Sequence, residues 1–363
     1  MSRPVLVPVW DLPIRLFHWS LAPSVAVAAA TGFLGGAEAI RWHVGAGLVA
    51  LGLVIARIVW GFTGPTHARF RDFAPRFADV VEHVRSDSPR HLGHNPLGAL
   101  MVFALIGLML MIGVSGLAML GGMFKTGPLA FWSFEAGRTG REIHELAAWA
   151  VLGLVAVHLA GVAVESLRNR ENLARAMLTG VKEARPGDHS VREIPARVPL
   201  AVFFLLLAGS GLWAANASLA ARAPRGMPVA FDPATRAECS ACHMAYHPSL
   251  LPAASWRALM AGLPDHFGED ASLDPATAAE IEGWLVAHAA ESADTLPAHV
   301  FARVAPEAPF AISESPSWTR LHGDLTDALF QRASIKSRSN CVACHADAET
   351  GLFSPFSIHV PKE

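Results

Sequence analysis

Four cysteines stand in two pairs, Cys239 with Cys242 and Cys341 with Cys344, and a histidine follows each pair at once, His243 and His345. In a C-x-x-C-H run the two thiols can bond the vinyl groups of a porphyrin while the imidazole ligates its iron, the chemistry of covalent c-type haem. A redox-active CxxC, a zinc site made from two CxxC pairs, or two disulfides would use the same cysteines. None of these needs a histidine directly after both pairs, and the two motifs use all four cysteines of the chain. Two covalent haems are therefore expected, attached at Cys239, Cys242, Cys341 and Cys344 and ligated by His243 and His345.

Four more histidines, His18, His43, His144 and His158, fall in or at the edges of apolar stretches. Taken singly, each reads as a helix-end or interfacial histidine, yet metal-binding side chains within a bilayer are functional candidates by default. A non-covalent haem with two imidazole ligands needs one histidine from each of two facing helices. The step from His144 to His158 is about 21 Å of helical rise and returns to within about 40° of the same face, so one helix can serve two stacked haems. Depth along the chain pairs His18 with His158 on the cytoplasmic side and His43 with His144 on the periplasmic side. Two haem b groups are expected there, with Gly45, Gly47 and Gly52 allowing close approach of a porphyrin to the backbone.

The elements that must hold these ligands are apolar helices. Of 363 residues 52% are hydrophobic and only 17% charged, with a mean hydropathy of +0.35, whereas soluble chains carry about 25% charge. Runs over Leu16–Leu34, Trp42–Phe62, Leu97–Leu120, Ile143–Glu165 and Val198–Ser218 each approach the roughly 20 residues that span a bilayer. The first lacks the basic lead and small-residue cleavage site of an export signal and reads as a span. Arg69, Arg71, Arg76, Arg85 and Arg90 lie between spans two and three, and Arg168, Arg170, Arg175, Lys182, Arg185, Arg192 and Arg197 between spans four and five. The positive-inside rule places those loops and the N-terminus in the cytoplasm. Five crossings then deliver the cysteines outside the bacterial inner membrane, where c-type haem is attached. Span five ends in Trp-Ala-Ala-Asn-Ala-Ser-Leu-Ala-Ala, much like a signal peptide. It is expected to persist as a tether, with cleavage as the alternative.

Charge divides the chain as well. Residues 1–197 carry 19 basic against 14 acidic residues and residues 198–363 carry 10 against 17, an asymmetry suggesting two surroundings. No dense basic run with interleaved aromatics points to nucleic acid. Beyond span five, helical stretches are short, Ala253–Gly262, Pro275–His288 and Trp318–Ala333, and no strand alternation stands out. The expected fold is an all-α membrane protein: a transmembrane cytochrome b domain at 1–180, a cytoplasmic linker and fifth transmembrane helix at 181–221, and a small α-helical periplasmic di-haem domain at 222–363.

Val9-Trp-Asp-Leu-Pro-Ile-Arg-Leu-Phe-His-Trp19, Arg41-Trp-His-Val-Gly-Ala-Gly47 and the run from Arg57 to Phe70 resemble the bacterial cytochrome b-561 and nickel-hydrogenase cytochrome b family, over residues 5–180. The resemblance implies a four-helix, di-haem b, quinone-reactive membrane protein ligated by His18, His43, His144 and His158. It also implies a quinone pocket near one haem, for which Arg15, Arg57 and His67 are candidates, although Arg57 also reads as a snorkelling anchor and His67 as a loop residue. The stretches Cys239–Ala253 and Asp265–Leu273, with Trp318-Thr-Arg-Leu-His322, are similar to a di-haem cytochrome c family encoded near oxygen-binding haem proteins, over about 228–362. That similarity implies His266 and His322 as distal haem ligands without fixing which haem each serves. Read from the residues alone, both could be simply exposed, and His247, His288, His299 and His359 read as surface residues.

The function expected is electron relay from quinol through b haems and c haems to a periplasmic acceptor, with lipid, the quinone pool and a periplasmic redox protein, such as an oxygen-binding haem protein, as partners. Two alternatives stay open. The chain could be a subunit passing electrons from a periplasmic dehydrogenase or hydrogenase into quinone. It could instead be a reductase of peroxide, a nitrogen oxide or oxygen, which needs an open iron coordination site.

Overall fold

The computed structural model describes residues 5–85, 90–186, 188, 194–304 and 310–362; of the basic residues named above, Arg192 lies outside them. In chain order the elements are β1 (Leu6–Pro8), α1 (Leu12–Phe33), α2 (Ile40–Thr63), α3 (Phe70–Phe73), α4 (Phe77–Arg85), α5 (Pro96–Phe124), α6 (Phe134–Arg168), α7 (Leu173–Thr179), β2 (Val181–Glu183), α8 (Val198–Ala220), α9 (Pro233–Cys239), α10 (Ala253–Ala261), α11 (Pro275–Ala287), α12 (Leu296–Phe301), α13 (Pro316–His322) and α14 (Asp327–Phe330). Five helices are long and apolar enough to cross a membrane, and they coincide with the five expected spans. The chain is a mostly helical integral membrane protein with a smaller helical portion after the fifth span.

Contacts divide the chain into two compact units. The first, residues 1–35, 41–116 and 141–216, contains most of α1, α2, α5, α6 and α8. Asp11 caps α1 by accepting from Ile14 N at 2.9 Å, and Pro13 follows in the first turn, where its missing N–H costs nothing. Ala50, Val54, Met109 and Val151 form the packed centre. Helix α8 buries only Ala201, and Leu206 and Trp213 are 68% and 73% exposed, as suits a helix solvated by lipid. One end of this unit is polar: β1 pairs antiparallel with β2, Val7 opposite Lys182. Arg90 donates to Glu171 and Asp188, and Ile194 N donates to Thr66 Oγ1 at 2.7 Å. These bonds join the two arginine-rich loops to each other.

The second unit comprises residues 36–40, 117–140 and 217–363. Helices α10 and α11 enclose Leu251, Trp256, Met260, Ile281 and Leu285, and Leu250, Phe301 and Trp318 form a second cluster. Where α5 ends and α6 begins, a Cβ on Gly122 would lie 2.5 Å from Gly137 N, so only glycine permits that approach. The helix expected over Trp318–Ala333 is two short helices, α13 and α14. Gly323 ends the first, and Thr326, in extended conformation, starts the second.

Candidate functional site

Within the first unit, α2 and α6 bring His43 and His144 together, ring centres 5.9 Å apart at 72°. Helices α1 and α6 bring His18 and His158 together at 6.3 Å and 52°. In the second unit His243 faces His266 at 6.0 Å and His322 faces His345 at 6.2 Å. An imidazole–metal bond of about 2 Å, with about 1.1 Å from nitrogen to ring centre, puts two trans imidazole centres roughly 6 Å apart across one metal ion. All four pairs have that spacing, and each CxxCH histidine is a member of one.

Tautomers fit as well. His43 Nδ1 lies 2.9 Å from Ala28 O, His144 Nδ1 2.9 Å from Ile112 O, His243 Nδ1 2.7 Å from Met244 O and His322 Nδ1 3.0 Å from Trp318 O. A carbonyl only accepts, so each Nδ1 carries the proton and donates it, which leaves the Nε2 lone pair for a metal. Burial lowers the pKa of His266 and of His345, the histidine facing each adding to the effect, and so favours the neutral, ligating form.

Two glycines stand where the rings of the His43–His144 pair come close to neighbouring helices. A Cβ on Gly32 would stand 2.9 Å from His43 Cε1, and one on Gly116 3.1 Å from His144 Cε1. A Cβ on Gly45, Gly47 or Gly52 would meet nothing within 4 Å. These residues fit haem: imidazoles paired at the spacing of a shared metal ion, and thiols beside two of the pairs. Gly32, Gly116 and the carbonyl of Ile112 escaped the sequence reading, because α5 carries no histidine and glycine is common in this chain. Spacing alone does not make such a site. His83 and His91 also sit 5.9 Å apart, but the Glu165 carboxylate stands 3.6 Å from His83 Nε2, where a metal would bind.

The two cysteine motifs are tied together. Tyr246 Oη, just after the first, donates to Ser339 O, just before the second, at 2.6 Å. The turn Cys341–Ala343 carries His345 N to Cys341 O at 2.8 Å, and the C-terminal tail returns to the motif through His359 N to Cys344 O at 2.8 Å. His247 is not a surface residue. It is 1% exposed, with Nε2 donating to Val229 O at 2.9 Å and Nδ1 accepting from Ser249 N at 3.2 Å, so both ring nitrogens serve structure. His299 stacks on Phe134 at 4.0 Å, and His359 is exposed.

Of the residues considered for a quinone pocket, Arg15 donates to Leu178 O and anchors α1 to the end of α7. Arg57 does not snorkel: it is 4% exposed, its guanidinium 4.8 Å from the centre of the Phe70 ring. His67 has a left-handed backbone, φ 70°, and packs on Gly93, where a Cβ would meet its Nδ1 at 2.7 Å.

Residues 9–180 match the family model of prokaryotic cytochrome b561, and residues 235–353 match that of dihaem cytochrome c. The chain is 28% identical to a "Probable Ni/Fe-hydrogenase B-type cytochrome subunit" of Rhizobium leguminosarum bv. viciae, covering 48% of this chain and 87% of that one. It is 29% identical to its namesake in Azotobacter chroococcum mcd 1, covering 51% and 93%. A solved dihaem cytochrome c from Rhodobacter sphaeroides is 52% identical, covering 33% of this chain and 95% of that one, with a TM-score of 0.30. Residues 9–180 belong to the prokaryotic cytochrome b561 family and residues 235–353 to the dihaem cytochrome c family, and the chain that joins them is an integral membrane electron-transfer protein.

Proposed function

We propose that this protein passes electrons between the quinone pool of a bacterial inner membrane and a periplasmic redox protein. Two haem b groups are held in the 1–180 domain, by His18 with His158 and by His43 with His144. After the linker and fifth helix at 181–221, the 222–363 domain holds two haem c groups. One is attached to Cys239 and Cys242 and ligated by His243 with His266. The other is attached to Cys341 and Cys344 and ligated by His345 with His322. The observation that carries this reading is the repeated imidazole spacing of 5.9–6.3 Å, twice among apolar helices and twice at a CxxCH motif.

Bound haem supplies one-electron redox chemistry whose potential follows axial ligand, hydrogen bonding and burial. The residues of this chain fix those variables. Ala28 and Ile112 orient His43 and His144 through their carbonyls, and Ser115 Oγ stands 3.4 Å from His144 Nδ1. Two histidines at each site leave no open coordination position, which disfavours reduction of peroxide, oxygen or a nitrogen oxide. The Arg90 bonds that join the basic loops favour placing both on one face, the cytoplasmic one under the positive-inside rule. The N-terminus then lies inside and the cysteines outside.

Electrons flow from quinol outward in this reading, to an acceptor that includes oxygen-binding haem proteins as a class. The names of the curated relatives, hydrogenase cytochrome subunits, favour a second reading, in which electrons enter from a periplasmic dehydrogenase or hydrogenase and reduce quinone. Adding a quinol to the purified, haem-loaded, full-length protein separates the two. Reduction of the c haems before an external acceptor is supplied supports outward flow. Oxidised c haems beside reduced b haems would contradict it.

A further inference from the structure

The single tyrosine of the chain, Tyr246, lies in the second unit between the two cysteine motifs. It is half-buried and packs against both hydrophobic clusters of that unit, the one enclosed by α10 and α11 and the one formed by Leu250, Phe301 and Trp318. Its ring meets the His243 ring at 5.5 Å and 61°. At the far end of the side chain, Oη donates to Ser339 O at 2.6 Å and is within hydrogen-bonding reach of the Cys341 sulfur. The backbone that carries the ring is fixed, because Ala245 and His247 on either side are each 1% exposed and both nitrogens of His247 are bonded.

A buried phenol needs only one acceptor, and any carbonyl would serve packing. The two ends of this side chain set it apart. The acceptor is the carbonyl that also takes the Cys341 N–H, at 3.0 Å, so two hydrogen bonds meet on Ser339 O. A continuous path therefore runs from the imidazole of the first motif through the Tyr246 ring and hydroxyl to the backbone of the first cysteine of the second. Electronic coupling through protein follows covalent bonds and then hydrogen bonds, and falls fastest across gaps. Burial pushes the pKa of the phenol up, so it keeps its proton, and with it the hydrogen bond, at physiological pH.

We propose that Tyr246 is the bridge across which the two c haems exchange electrons, its ring against His243 and its hydroxyl bonded to the Ser339 carbonyl. One electron leaves a ferrous haem at one motif and reduces a ferric haem at the other. No proton moves, and Tyr246 is neither oxidised nor deprotonated. It is a positioning residue, acting through a ligand on one side and a backbone carbonyl on the other. An electron that enters at either motif then reaches both. This assignment rests on the reading above that a haem is attached at each motif.

The test compares the haem-loaded, full-length protein with its Tyr246→Leu and Tyr246→Phe variants. Magnetic resonance exchange spectroscopy on partly reduced samples reads the rate at which the two c haems trade electrons. Redox titration reads their potentials, and the Ser339 carbonyl carbon shift reads the hydrogen bond itself in the oxidised protein. Tyr246→Leu is expected to slow exchange severalfold with both c haems attached and their potentials unchanged. Tyr246→Phe keeps the ring and loses only the hydroxyl, so it should move the Ser339 shift and slow exchange to a smaller extent. It also keeps the test open if the leucine variant fails to fold. Exchange at the wild-type rate in either variant would overturn the bridge while leaving the haem reading intact. A slowing fully accounted for by altered potentials would assign Tyr246 to packing and also overturn the proposal. Fewer than two c haems on the wild type would remove that reading and the bridge with it.

Discussion

His43 and His144 face each other across 5.9 Å at 72°, each with Nδ1 committed to a backbone carbonyl, Ala28 O and Ile112 O. Helices α1 and α5, which contribute no imidazole to this pair, thus set the orientation of both rings. The geometry leaves Nε2 of each ring as the free ligating atom. His144→Ala is accordingly expected to remove one haem b per chain and leave the covalent haem unchanged. His158→Ala should do the same for the other membrane pair. A pyridine haemochrome spectrum on each variant reads the ratio of b to c.

The glycines make a sharper claim about shape. A side chain at position 32 would press on His43 at 2.9 Å, and one at position 116 on His144 at 3.1 Å. Gly32→Val and Gly116→Val are expected to lower occupancy at the His43–His144 pair severalfold while far-ultraviolet circular dichroism stays helical. Full occupancy in both variants would mean that the rings have room that these distances deny.

Two distal histidines and two c haems could be matched either way, and the facing of His243 with His266 and of His322 with His345 favours one matching. His266→Met should raise the potential of one c haem, and His322→Met that of the other, each by on the order of 100 mV within the roughly 0.8 V range that axial ligands command. Redox titration of each variant, with heteronuclear magnetic resonance assigning the altered haem to its CxxCH motif, checks the pairing. A shift at the opposite motif would reverse it.

Much of this arrangement is legible in the amino-acid sequence. A covalent haem motif is local, five residues whose chemistry does not depend on tertiary context, and the step from His144 to His158 needs only the helical repeat. The features that escape a sequence reading depend on contacts between distant segments. Gly32 acts only because His43 turns toward α1. His247 sits among polar and proline residues like a surface histidine, but Ser249 and Val229 supply both of its hydrogen bonds. The break after His322 comes from Gly323, whose cost to a helix the apolar periodicity hides.

In the second unit, Asp294 accepts from Phe134 N at 3.0 Å and from His299 at 3.0 Å, with Lys125 Nζ at 3.4 Å. Burial alone would raise its pKa, but the His299 and Phe134 hydrogen bonds and the Lys125 charge outweigh it and hold the carboxyl below its usual range. The stabilisation is thus complete above the ordinary carboxylate pKa, about 4, and is lost as pH falls through the lower folded value. Asp294→Asn is expected to cost about 1–2 kcal/mol, since the group is partly exposed, and the difference from wild type should shrink below about pH 4. Thermal unfolding followed across pH 3–7 measures both.

The central claim is four haems of two kinds in one chain. The reduced alkaline pyridine haemochrome spectrum of the intact, membrane-extracted protein, with haem quantified per polypeptide, tests it most directly. The expected result is two haem b and two haem c. Two haem c with no haem b would contradict the account, because the facing histidines His18 with His158 and His43 with His144 would then hold no iron and residues 1–180 would serve only as an anchor.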